Sequence, residues 1–212
     1  MADAPIGEVI LKDVRLSFAH IYEPSKDSVD KKTGQTIKGS YQARGLMEKG
    51  TPATIENMKK LKKAGLDARK KEWGDNVAKH PKLKPNQLCV RDGDLEDWEG
   101  YEGCYYIAAN AGQRKPSVIT NIKGKDGKWI EATPGGANSP YSGCRVNMLV
   151  RIWAQDNDYG KRQNASLEIV QFFKDGEPFG AGPVDPNEKF GDEFAADGES
   201  MGDEDEDDGG LI

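Results

Sequence analysis

Arg145, Asn147, Arg151 and Trp153 recur at every second or fourth position along one run, and Val146, Met148, Val150 and Ile152 fill the places between them. Successive side chains of a strand point to opposite faces, so the apolar set belongs to a core and the polar and aromatic set, with Leu149, shares the other face. Two arginines, an amide and an indole suit a stacked base and its phosphates. An aromatic ring accepts any base at about 1–3 kcal/mol per stacked base, and arginine neutralises the backbone. The competing reading is structural: Trp153 covers a second apolar layer and Arg151 pairs with a surface carboxylate. Both stand at this level. Tyr41, Tyr106 and Trp129 are further stacking candidates, and Arg44 a further phosphate contact. Because Tyr105 and Tyr106 are adjacent, at most one of them can join such a platform.

Other chemistries find less support. The chain has no Gly-x-x-x-x-Gly-Lys loop and no Gly-x-Ser-x-Gly elbow, and its two histidines, His20 and His80, offer no evident general base. The acidic run Asp92, Asp94, Glu96, Asp97 and Glu99 could hold a divalent cation, which keeps a metal-dependent nuclease or recombination enzyme as an alternative; its spacing does not match an EF-hand. Cys89, Cys104 and Cys144 are widely separated and include no Cys-x-x-Cys pair, so reduced, buried or half-buried thiols are expected rather than disulfides or zinc. No cofactor and no metal are expected.

The elements that must position these residues are mostly strands. Val9, Leu11, Leu16 and Phe18 alternate with a break at Asp13-Val14, as in one bulged strand or two short ones. Further strands are predicted over 40–48, 103–110, 145–154 and 166–174. Residues 118–120 and 128–130 flank a turn at Gly124–Gly127 and predict a hairpin. A polar loop over 24–39 separates the first two strands. One helix is predicted from Thr51-Pro52 or Thr54 to Trp73, with Ile55, Met58, Leu61, Ala68 and Trp73 on its apolar face. Its other face is basic and includes Lys59 and Lys63, a solvated surface or an electrostatic contact to phosphate. Six or so strands suffice for a small barrel, so the expected fold is mainly β, with a long amphipathic helix inserted and long loops. The helix and strands belong to one domain, residues 1–190.

Residues 191–212 are different. Ten acidic residues and no Lys or Arg lie between Asp192 and Asp208, so the formal charge of −6 becomes −6 + 10 = +4 for the remainder. A mildly basic body suits a polyanion ligand. The unbroken run Asp203, Glu204, Asp205, Glu206, Asp207, Asp208 cannot bury itself and is expected to be a disordered, solvated arm. The apolar pair Leu211-Ile212 beyond it suggests docking in a partner's pocket, with the carboxylates steering. No stretch approaches the roughly 20 apolar residues of a membrane span, and Met1 to Gly7 lacks the pattern of a signal peptide.

Several short motifs occur in a fixed order: Arg15-Leu16-Ser17-Phe18, Tyr22-Glu23-Pro24, Arg91-Asp92-Gly93-Asp94, Tyr101-Glu102-Gly103-Cys104-Tyr105-Tyr106 leading to Ala109-Asn110-Ala111, Tyr141-Ser142-Gly143-Cys144 and Asp175-Gly176-Glu177-Pro178. In these, from about Val9 to Gly182, the chain resembles a bacteriophage family of single-stranded-DNA-binding proteins. The resemblance implies an OB-fold barrel of five or six strands with large loop insertions, a protein that coats single strands in phage replication or recombination, and no enzymatic activity. It also implies an acidic C-terminal arm that recruits a polymerase, helicase or primase, and a location in the cytoplasm of the infected bacterial host. Many such arms finish in an aromatic residue, and this one ends Leu211-Ile212. An acidic protein-protein adaptor is the remaining alternative.

Overall fold

The computed structural model describes residues 7–30 and 33–179. Its elements in chain order are β1 (Glu8–His20), β2 (Ser28–Val29), β3 (Thr36–Ile37), β4 (Tyr41–Glu48), α1 (Pro52–Trp73), β5 (Val90–Asp92), β6 (Cys104–Gly112), β7 (Ser117–Lys123), β8 (Trp129–Glu131), β9 (Arg145–Asn157) and β10 (Gly160–Lys174). Five of them close on themselves in the order β1-β4-β6-β10-β9 and back to β1. Four of the five seams are antiparallel, and the fifth joins β6 to β10 in parallel through the single pair Ser166 and Asn110. This is the five-stranded, partly open Greek-key barrel of the OB fold. The β7–β8 hairpin and short β5 extend the sheet beyond it.

Alternation builds the interior. Val146, Met148, Val150 and Ile152 of β9 are all buried, and they meet Val9, Leu11, Val14 and Leu16 of β1 and Leu167, Val170 and Phe172 of β10. Gly45 of β4 admits this packing, because a Cβ there would lie 2.8 Å from Met148 Sδ. A second, smaller cluster of Leu46, Tyr101, Cys104 and Tyr106 lies outside the barrel core. All three cysteines are free and buried, and burial pushes the Cys89 and Cys144 thiols up to about 11.

β1 is one strand bent twice. Its register against β9 shifts between Leu11 and Val14, where Asp13 has a φ of 53°, and its register against β4 shifts between Ser17 and His20, where Phe18 has a φ of 47°. Three hydrogen bonds from two elements hold the first bulge. Asn57 of α1 accepts from Lys12 N (3.0 Å) and donates to Lys12 O (2.8 Å), and Asn147 of β9 accepts from Asp13 N (3.2 Å). These bonds satisfy backbone groups that the bulge removes from the ladder.

The helix starts where Thr51 caps it, its hydroxyl accepting from Thr54 N (3.3 Å) with Pro52 in the first turn, and it stops at Gly74, whose φ is 86°. Its buried face differs from the predicted one. Thr54, Asn57, Leu61, Ala64, Gly65 and Ala68 are buried, whereas Ile55 is exposed. Small and polar residues face inward because the helix packs close: a Cβ on Gly65 would lie 2.3 Å from Gln163 Nε2. Two strands also run longer than predicted. β9 continues to Asn157 and β10 begins at Gly160, since Lys161 to Gln163 pair with Ala154 to Asp156 although little there is apolar. The polar loop over 24–39 contains the small β2–β3 hairpin. No helix among the described residues is long and apolar enough to cross a membrane.

Candidate nucleic-acid interface

A cleft of about 1020 Å³ opens over β4 and β6. Its floor is low because Ala43, Ala108, Ala109, Ala111 and Gly112 carry little side chain there. The far end of the β9–β10 hairpin makes one wall, with Trp153, Gln155, Tyr159, Arg162 and Asn164; the segment Asn86–Cys89 and Arg91 make another. The face of the second and third barrel strands, flanked by the loop between the fourth and fifth, is where OB folds hold oligonucleotides and oligosaccharides.

The composition of the lining is selective. Arg44, Arg91, Arg114 and Arg162 reach it, amides are abundant, and among the described residues no Asp or Glu lines it, although the chain has 36 acidic residues. Aromatic surface is present as well: Phe18 is 45% exposed, Trp153 41% and Tyr159 87%. Trp153 is held in place by its indole Nε1, which donates to Ser166 Oγ (3.0 Å). Arg44 sits in an aromatic notch, its guanidinium carbon 4.0 Å from the Trp98 ring centre and 4.5 Å from that of Phe18. Its buried Nη1 has no hydrogen-bond partner among the described residues. Arg44 thus sets a cation on aromatic faces beside a lining without Asp or Glu, a setting that suits an anion. Arg91 is more constrained: Nε donates to Leu88 O (2.8 Å) and Nη2 to Asn86 O (3.3 Å), which ties down the Asn86–Cys89 wall. Arg114 is largely exposed and pairs with Glu168 (2.5 Å).

The family model described as Enterobacter phage Enc34, ssDNA-binding protein matches residues 7–205. The chain belongs to this family. Protein p50 of Acyrthosiphon pisum secondary endosymbiont phage 1 is 33% identical over 202 residues, which is 92% of this chain and 98% of that one. Among solved structures, the single-stranded DNA-binding protein from bacteriophage Enc34 in complex with ssDNA is 29% identical, with a TM-score of 0.61 over 82% of this chain and 90% of that one. A second structure of the single-stranded DNA-binding protein from bacteriophage Enc34 aligns with the same TM-score and identity over 86% of this chain and 89% of that one.

In this Enc34-type barrel the residues singled out from the sequence scatter over several places. Trp153 and Arg44 both line the cleft. Arg145 does not join them: its Nε donates to Asp13 Oδ1 (2.6 Å), its Nη2 to Asp13 O (3.0 Å) and its Nη1 to Glu48 Oε1 (3.2 Å). Burial alone would raise the Asp13 carboxyl, but Arg145 and Lys174 overcome that and hold it below its ordinary value. Asn147 is engaged at the same bulge, and Arg151 pairs across the seam with Glu8 (2.8 Å). The four residues do share one strand face, and three of them are committed to neighbours on β1.

Tyr106 is fully buried and donates to Glu96 Oε1, so it supports the notch from beneath. Burial, reinforced by that carboxylate, pushes its hydroxyl up. Tyr41 is half-buried at the start of β4, opposite Gly112. Trp129 is on β8 under the Lys123 ammonium (4.7 Å), outside the cleft lining, as are Lys59 and Lys63 on the exposed face of α1. In the acidic run, Asp92 and Asp94 grip Lys49 at 2.5 and 2.6 Å, and Asp94 accepts from Gly103 N (2.6 Å). Those carboxylates organise a turn. The acidic run 203–208 with Leu211 and Ile212 lies outside the described residues.

Phe18, Tyr159, Arg91, Arg114 and Arg162 were not singled out from the sequence. Phe18 reads as one more core residue in an alternating strand, and Tyr159 and Arg162 fall between the strands predicted over 145–154 and 166–174. Only the arginine types themselves carried a signal, and pairing hides which of them are free.

Proposed function

We propose that the chain binds single-stranded DNA in the cleft over β4 and β6, without strong sequence preference and without chemistry on the strand. The observation that carries this reading is the lining itself: arginines, amides and exposed aromatic rings, with no carboxylate among the described residues, on the ligand face of an OB barrel. Membership in the Enc34 family supports it. Trp153 and Tyr159 present rings to bases, and Arg44 and Arg162 meet phosphates. The amides supply adaptable hydrogen bonds. The protein then coats and protects single strands during phage replication or recombination, in the cytoplasm of the infected host.

We assign the acidic segment a second role, recruitment of replication proteins and competition with DNA, from its charge of −10 beside a remainder of +4. A chain ending near Gly191 should bind single strands more tightly than the full chain, most at low salt; equal affinities would remove competition from the proposal. The DNA reading is tested by filter binding of an oligothymidine strand across a salt series. Affinity should fall steeply as salt rises, because phosphate contacts release counterions, and duplex of equal length should bind more weakly. Salt-independent binding, or equal affinity for both forms, would overturn it.

A further inference from the structure

Phe18 belongs to the strand that supplies much of the core, yet its ring is 45% exposed and lines the cleft. The backbone explains the displacement. Leu16 and Ser17 are both buried, one in the barrel and one beneath Tyr101, whose hydroxyl donates to Ser17 Oγ (3.2 Å). Plain alternation would send Phe18 inward after Leu16. Instead φ at Phe18 is 47°, a left-handed conformation that an aromatic residue adopts only at an energetic cost and that occurs here beside a register shift. Glycine or asparagine would fill a plain bulge with less strain. The strained residue is the one whose ring turns out of the core and into the cleft lining.

The ring is also steadied. The Arg44 guanidinium lies over it at 4.5 Å, and Trp98 and Tyr101 meet it in T-shaped contacts at 5.6 and 6.3 Å. A ring fixed on its protein side, exposed on its cleft side and beside a cleft-lining guanidinium matches the two halves of one nucleotide. We propose that Phe18 is a base-stacking residue of the cleft, presented by the left-handed bulge of β1, with the phosphate of the same or the next nucleotide held by Arg44. This inference rests on the single-strand reading above and adds to it a residue, a geometry and a reason for the strain.

Four variants test it: Phe18→Gly, Phe18→Ala, Phe18→Leu and Phe18→Tyr, each examined by oligothymidine titration and thermal melting beside Trp153→Ala. Phe18→Gly relieves the left-handed backbone and removes the ring; it should melt no lower than Phe18→Ala and bind roughly 5- to 150-fold more weakly than the unaltered chain. Phe18→Leu keeps apolar bulk against Arg44 without a π-face and should lose affinity similarly, whereas Phe18→Tyr should retain it. If Phe18→Leu binds like the unaltered chain while Trp153→Ala does not, Phe18 is only a cover for the Tyr101 cluster and the inference fails alone. If the unaltered chain itself shows no affinity for the strand, the single-strand reading fails with it.

Discussion

The two bulges of β1 are only five residues apart and do opposite work. At Asp13 every charge is answered: Arg145 and Lys174 meet the carboxylate, and Asn57 and Asn147 satisfy the backbone. At Phe18 little is answered. An arginine leans on aromatic rings with an unused donor, and a strained phenylalanine faces open space. The first arrangement is what a fold needs to keep two strands in register. The second is the arrangement proposed above to take a nucleotide, and on that reading the difference separates scaffold from site within a single strand.

The largest expected effect lies on the scaffold side. Arg145→Ala strips Asp13 of its main partner in a mostly buried setting and should cost about 2–3 kcal/mol of stability by urea denaturation, with single-strand affinity unchanged well below the transition. Unchanged stability with weakened binding would move Arg145 into the site and erase the comparison. Next, on the site side, Trp153→Ala should cost about 1–3 kcal/mol in affinity for oligothymidine and little in melting temperature. A variant that unfolds instead would make Trp153 a core residue. A milder change is Arg44→Lys, which keeps the charge and loses the planar stack; a loss near 1 kcal/mol in affinity is expected, and full retention would mean that the aromatic notch does nothing for binding.

The smallest effect is on pH. The folded Asp13 carboxyl lies below its ordinary 3.8, so its contribution to stability is complete above that value and fades as pH falls through 3.8 toward the lower folded value. Acid unfolding should therefore begin at higher pH in the Lys174→Ala variant, and a titration indistinguishable from that of the unaltered chain would detach Lys174 from the bulge.

Much of the fold was legible because its signal is local. Val146 to Ile152 alternate in the sequence and are buried in the barrel, and the Gly124–Gly127 turn announces its hairpin. The start of β10 was not legible, since Lys161 to Asn164 gain strand structure from pairing with β9 rather than from their own composition. The helix face was misread at Ile55 for a related reason: how closely α1 packs at Gly65 depends on Gln163, far away in the chain. The candidate site was half legible. Residue types identified Trp153 and Arg44, but nothing local distinguishes Arg145 from Arg44. What distinguishes them is a carboxylate 132 residues distant in one case and aromatic rings from two other segments in the other. Phe18 was hidden by its own apolar character, because a left-handed bulge leaves no mark on alternation.

The most direct measurement compares Arg44→Ala with Arg145→Ala in the dependence of oligothymidine affinity on salt. Arg44→Ala should bind more weakly and lower the slope of log affinity against log salt by about 1, the loss of one phosphate contact, and Arg145→Ala should leave both affinity and slope as they were. A slope lowered by Arg145→Ala and untouched by Arg44→Ala would place the strand on the other bulge and contradict the account.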